Sequence, residues 1–184
     1  MKWQSFIAAG RQCVAGLPDF APGEKGKAVY LSGGDSLKDR LPQLEQALEG
    51  EMGSTLLPFA LIAVTPKSWE EEFSPWAAPA LSRKTPAFTG GGDEYLRDLA
   101  GPIRQACEER LPLLPDRENR ALAGYSLAGL SSLYALYQTE AFGALASVSG
   151  SLWFEGFLNY MEKTAPRRRD TRVYLSLGNK EEKS

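Results

Sequence analysis

The sequence predicts an α/β protein built on a mostly parallel central sheet. Two observations carry this reading. Short apolar runs of strand length alternate with segments that repeat apolar residues at helical spacing, the pattern of a layered α/β fold. One such run, at 120–123, leads through a glycine-bounded serine turn into a helix that is apolar on nearly every face. In open parallel sheets, sites lie outside the carboxyl ends of the strands, so the residues after each strand are where chemistry is expected.

Taken in order, residues 1–27 stay unassigned. Trp3, Phe6, Ile7 and Val14 mark at most a short helix, which Gly10, Gly16, Pro18, Pro22 and Gly23 interrupt. Residues 28–32 read as a buried strand ended by Gly33 and Gly34. Asp35 or Ser36 then caps a helix carrying Leu37, Leu41, Leu44 and Leu48. Residues 59–65 are a second continuous apolar strand, stopped by Pro66. Residues 66–92 lack periodicity and hold Trp69, Phe73, Trp76 and Phe88. An aromatic-rich loop of this length in a compact domain is functional, as a lid or satellite core, or disordered.

A helix is expected over 94–111, with Leu96, Leu99, Ile103 and Cys107 on one face and a bend at Pro102. Residues 120–123 form a third strand and 127–138 the buried helix. A fourth strand follows at 144–148, a short helix at 154–163 and a fifth strand at 172–177. Nothing repeats, so residues 1–184 read as one domain.

Composition narrows the function classes. A formal net charge of −2, from 21 basic and 23 acidic residues, leaves no electrostatic footprint for nucleic acid. The one dense basic run, Arg167–Arg169, reads first as a solvated loop and second as an anion contact. No apolar stretch approaches a membrane span or a signal sequence. Cys13 and Cys107 are too few for a disulfide framework and fit buried thiols in a reducing compartment, so a cytoplasmic protein is expected. No metal site is legible. Histidine is absent altogether.

The chemistry concentrates at Gly124-Tyr125-Ser126-Leu127-Ala128-Gly129. Strand before and helix after is the context of a nucleophile elbow, in which a strained turn lifts a serine hydroxyl above the sheet. Small residues at 124, 128 and 129 let strand and helix approach closely, although Ala128 replaces the second glycine of G-x-S-x-G. The plain alternative is a helix cap by Ser126. The N–H of Leu127 is the expected first donor of an oxyanion hole, and the turn at Gly34 the second. The turn at Gly34 reads equally as an ordinary strand–helix connection. Glu181, after the fifth strand, is the candidate acid of a triad, or one member of a solvated charge run.

These residues resemble the putative-esterase family of α/β hydrolases, in particular its enterochelin (ferric siderophore) esterase-like branch. The resemblance runs over about residues 28–182. It is carried by Val29-Tyr-Leu with Gly33-Gly34-Asp35, by Ser74-Pro-Trp76, by Gly91-Gly92-Asp93-Glu94-Tyr95-Leu96, by the Gly124–Gly129 elbow, by Ser147-Val-Ser-Gly-Ser-Leu-Trp153, and by Leu175-Ser-Leu-Gly178 through Glu181. It implies a three-layer α/β-hydrolase-like sandwich and a serine esterase without cofactor, acting on a small-molecule ester. In it Ser126 is the nucleophile, Leu127 and Gly34 form the oxyanion hole, and Trp153, Trp76 and Tyr125 border a wide aromatic pocket. Oligomeric state is not implied.

Three features depart from the family. Its histidine would follow residue 184, its two N-terminal strands have little sequence ahead of Ala28, and the arginine it often carries after the strand ending near Thr65 is replaced by Trp69-Glu70-Glu71-Glu72. The chain therefore reads as part of a longer esterase, or as a short non-catalytic binding module that kept the pocket.

Overall fold

A computed structural model describes residues 1–34, 40–52, 54–83 and 85–178. The start of the helix expected at 35–36 and the acid candidate Glu181 lie outside the described residues.

The N-terminal segment is a β-hairpin and not a helix. Strand β1 (Lys2–Ala8) pairs antiparallel with β2 (Arg11–Leu17), Trp3 opposite Gly16. Ala9 and Gly10 both take positive φ, 48° and 79°, which makes the tight two-residue turn whose twist matches the strands. Gly16 is a packing feature and not a breaker: a Cβ there would lie 2.7 Å from the Trp3 ring. The two strands that the resemblance requires ahead of Ala28 are therefore present.

Five parallel strands follow: β3 (Lys27–Ser32), β4 (Phe59–Val64), and, later in the chain, β7 (Arg120–Tyr125), β8 (Ala144–Val148) and β9 (Arg172–Ser176). With the hairpin they make a seven-stranded sheet in the order β1-β2-β4-β3-β7-β8-β9, antiparallel only where β1 meets β2 and β2 meets β4. Continuous apolar runs such as Ala60–Val64 are buried, as strands covered on both faces must be. At the β9 edge, Val173, Tyr174 and Leu175 are exposed.

Helix α1 (Leu41–Glu51) starts with a proline in its first turn, where the missing N–H removes no intrahelical bond. The 66–92 segment is ordered around α2 (Trp69–Glu72) and a small two-stranded ribbon, β5 (Ala77–Ala78) with β6 (Phe88–Thr89). The expected 94–111 helix is divided. It comprises α3 (Gly92–Asp98), a π-helical turn at Leu99–Ile103 and α4 (Arg104–Arg110), with Gly101 off helical geometry beside Pro102.

Helix α5 (Leu127–Gln138) is buried on nearly all sides, and α6 (Phe157–Lys163) follows β8. The core joins Tyr30, Ile62 and Leu122 of the sheet to Leu130 and Leu133 of α5. Arg167 and Arg168 of the basic run are engaged locally: Arg167 donates to the Tyr137 carbonyl at 3.2 Å, and Arg168 holds Asp170 at 3.0 Å. Cys13 and Cys107 are both fully buried free thiols.

Candidate active site

Strand β7 ends at Tyr125 and α5 begins at Leu127, so Ser126 alone makes the turn. Its φ of 58° and ψ of −123° lie where L-residues are rarely found. Three backbone bonds hold this strain. The Ser126 N–H donates to the Val148 carbonyl at 3.0 Å, and the Ser126 carbonyl accepts from Leu130 at 3.0 Å and from Ser151 at 3.1 Å.

The small neighbours are sterically required. A Cβ on Gly124 would sit 2.2 Å from the Ala128 carbonyl oxygen, and one on Gly129 would sit 3.0 Å from that of Gly124. Ala128 itself is fully buried, so its methyl is accommodated where the strict motif has glycine.

The N–H of Leu127 opens a 12-residue helix, where it has no intrahelical acceptor and lies at the positive end of the helix dipole. Strand β3 neighbours β7, with Leu31 opposite Ala123. Extended three residues, that register reaches Gly34 and Ser126, so both turns leave the same edge of the sheet. Gly33 has a φ of 99° and its N–H donates to the Val64 carbonyl at 3.1 Å. A Cβ on Gly34 would lie 3.1 Å from Thr65 Oγ1.

Beside Ser126 and Leu127 a cleft of about 120 Å³ opens. Trp69 and Glu70 of α2 form one wall. Leu81, Thr85 and Pro86, between β5 and β6, form a second with Phe88 of β6, and Ser151 and Trp153 after β8 form the third. The Ser126 and Ser151 hydroxyls are 3.4 Å apart, and Ser151 is buried. Glu70 is the one ionisable side chain among the described lining residues.

Helix α2 is held in the wall from behind. Ser68 caps it, accepting from the Glu71 N–H at 3.4 Å. Glu72 meets Arg11 of β2 through two contacts of 2.7 Å and accepts from the Lys67 N–H at 2.9 Å. Trp69 packs edge-on against Phe73, and Phe73 against Tyr95, at 4.9 and 5.1 Å between centroids. The Tyr95 and Ser32 hydroxyls share a hydrogen bond of 2.8 Å at the end of β3. Burial lifts the Tyr95 phenol above its ordinary range.

The glycine segment braces the same loop: Gly90 N–H donates to Ser74 Oγ, Gly91 N–H to the Glu71 carbonyl and Gly92 N–H to the Ser74 carbonyl, at 3.0, 2.8 and 3.0 Å. Asp93 accepts from the Tyr134 hydroxyl at 2.7 Å, tying the loop to α5.

The candidate residues thus separate. Ser126, Leu127 and Trp153 share the cleft, and Gly34 lies at the same sheet edge. Trp76 does not line it. Its indole donates to the Glu155 carbonyl at 2.9 Å and its ring packs among Tyr134, Phe154, Phe157 and Tyr160, an apolar cluster that an indole of this size fills. Tyr125 is 61% exposed and lies outside the cleft lining.

Sequence reasoning missed Trp69, Glu70 and Ser151. A signal for the first two was present: Ser68 followed three residues later by Glu71 is a capping-box spacing, which marks a helix start inside the apparent loop. Among the described residues no group of three or more His, Cys, Asp or Glu side chains is arranged to hold a metal ion, and no helix is long and apolar enough to cross a membrane.

A seven-stranded, mostly parallel sheet in this order defines an α/β-hydrolase-like fold. The family model described as "Putative esterase" matches residues 11–184, and the chain belongs to that family. It is 31% identical over 156 residues to the uncharacterized protein YbbA of Bacillus subtilis, a match covering 84% of this chain and 61% of the relative, so the chain spans about three fifths of that protein's length. Among solved structures it resembles an IroE-like serine hydrolase from Shewanella oneidensis, with a TM-score of 0.75 and 22% identity over 88% of this chain and 55% of that one. It also resembles the siderophore hydrolase EstA from Aspergillus nidulans, with a TM-score of 0.72 and 22% identity over 96% and 69%.

Proposed function

We propose that this chain carries the nucleophile and pocket of a carboxylic-ester hydrolase, with Ser126 as the attacking residue. The observation that carries the proposal is the strained Ser126 backbone between β7 and α5, because a plain helix cap has no need of a positive φ. In this reading Ser126 Oγ adds to the ester carbonyl. The resulting oxyanion accepts from the Leu127 N–H and from the turn at Gly34. Collapse breaks the carbon–oxygen bond, the alcohol leaves, and water hydrolyses the acyl-serine. The proton lost by the serine hydroxyl ends on the departing alcohol.

That proton transfer is the step for which these residues offer no imidazole, since the sequence contains no histidine. A serine hydroxyl is a weak nucleophile without an adjacent base, and loss of a triad member leaves a residual acceleration of roughly 10³–10⁴ over water. Full activity therefore requires an imidazole from outside these 184 residues. Glu181 is the acid proposed to orient it. The siderophore hydrolase among the structural neighbours makes a siderophore-type ester a candidate small-molecule substrate. The buried free thiols fit a reducing compartment, which supports a cytoplasmic setting.

The missing histidine also favours a second reading, a binding module that holds esters without turnover. Intact-mass analysis after treatment with a fluorophosphonate separates the two, with and without added imidazole. A single adduct that forms slowly, accelerates with imidazole and is lost in Ser126→Ala supports the hydrolase site. An adduct that persists in Ser126→Ala, or none at any imidazole concentration, overturns it.

A further inference from the structure

The cleft beside Ser126 has aromatic residues in every wall, and among its described lining residues one side chain is charged. Trp69, Phe88 and Trp153 present aromatic surface, and Phe88 and Trp153 lie 6.4 Å apart between centroids. Glu70, half-buried on α2, belongs to the same wall. Among the described residues, no ion pair or hydrogen bond engages the Glu70 carboxylate. Its neighbour Glu72, by contrast, is neutralised by Arg11. Arg83, in the chain segment between two lining residues, is exposed and not part of the lining.

We propose that this cleft takes an apolar ester substituent that is uncharged or cationic, and that Glu70 is the residue that excludes anionic ones. The assignment deepens the hydrolase reading and rests on Ser126 marking the reaction centre. Two physical effects act in the same direction. Aromatic faces attract cations through their quadrupoles. A carboxylate about 6 Å from a bound charge, at an effective dielectric between that of a protein surface and of water, changes affinity by about tenfold for each sign. Helix α2 is pinned by the Arg11–Glu72 pair and by the Phe73–Tyr95 contact, so the backbone that carries Glu70 cannot withdraw without breaking buried contacts.

The test uses three ligands of similar shape: benzyltrimethylammonium, benzyl alcohol and phenylmethanesulfonate. Binding to the 184-residue chain is followed by the fluorescence of Trp69 and Trp153, with Trp69→Phe and Trp153→Phe assigning the signal. The cation is expected to bind at least tenfold more tightly than the sulfonate. Glu70→Gln should reduce that ratio to about threefold, and Glu70→Lys should reverse it. The same series in Ser126→Ala keeps the charge preference, so a failed fluorophosphonate reaction and a failed charge preference are read separately. Equal binding of cation and sulfonate, a ratio unchanged in Glu70→Gln, or no binding of any of the three overturns the proposal.

Discussion

Arg11 and Glu72 are 61 residues apart, one on an N-terminal strand and the other on a one-turn helix, and they meet through two contacts of 2.7 Å in a buried setting. Asp98 adds a second acid 3.7 Å from the same guanidinium. The pair fixes the helix that forms one wall of the Ser126 cleft.

Arg11→Met alone should therefore be strongly destabilising. It strands a buried carboxylate, and breaking such a pair costs about 3–5 kcal/mol. Urea unfolding is expected to show this loss, with the double variant Arg11→Met/Glu72→Leu recovering much of it. If the single variant unfolds within 1 kcal/mol of the wild type, the pair does not hold the wall.

Gly124→Ala is expected to destabilise by about 3 kcal/mol, the upper end for overpacking, because its methyl would meet the backbone oxygen of Ala128. Gly10→Ala is the control. Its φ is positive but nothing lies within 4 Å, so only backbone strain of about 1 kcal/mol is expected. Thermal unfolding of both variants, with fluorophosphonate labelling of the first, ranks the two effects.

Ser126→Gly should raise stability by about 1 kcal/mol while abolishing labelling, since glycine adopts the turn without a Cβ penalty. A lower melting temperature in this variant would show that the turn stores no strain.

Burial raises the phenol pKa of Tyr30, Tyr95, Tyr134, Tyr137 and Tyr160 above the ordinary value. An unfolded chain would release these protons near pH 10 while the folded one retains them. Their contribution to stability is thus complete below about pH 10 and declines as pH rises beyond it. Absorbance at 295 nm and far-UV circular dichroism, followed together, should show these phenols ionising only as the fold collapses.

Cys13 and Cys107, both fully buried, should react with a disulfide reagent only on the timescale of unfolding, and both at once in denaturant. Rapid reaction of either thiol in the native protein contradicts the packing described.

The sheet was legible wherever burial on both faces wrote a continuous apolar run, as in Phe59–Val64, and α5 was legible from apolar residues all around its axis. The hairpin was not, because its two informative glycines look like breakers: Gly10 serves the turn and Gly16 clears space for Trp3. Ser126 could be read from local spacing, since strand, turn and helix are contiguous. For Trp69 and Glu70 the capping-box spacing of Ser68 and Glu71 announces a helix but not its place at the cleft, which a tertiary pair with Arg11 sets. Trp76 carried the opposite lesson. Aromatic character alone does not separate a pocket wall from a core ring, and its neighbours Tyr134 and Tyr160 lie far away in sequence.

The Ser126 carbonyl accepts one bond from its own helix and another from Ser151. The stretch after β8 is thus registered on the Ser126 peptide itself, whereas the α2 wall is joined to the frame through the Arg11–Glu72 pair and through bonds to its own loop, such as that from the Gly91 N–H to the Glu71 carbonyl. These two borders of the cleft have unequal freedom to diversify. Descendants of this scaffold can exchange the α2 border, and with it the charge presented to a ligand, while leaving the Ser126 turn untouched. A change around residue 151 is transmitted to the serine peptide directly.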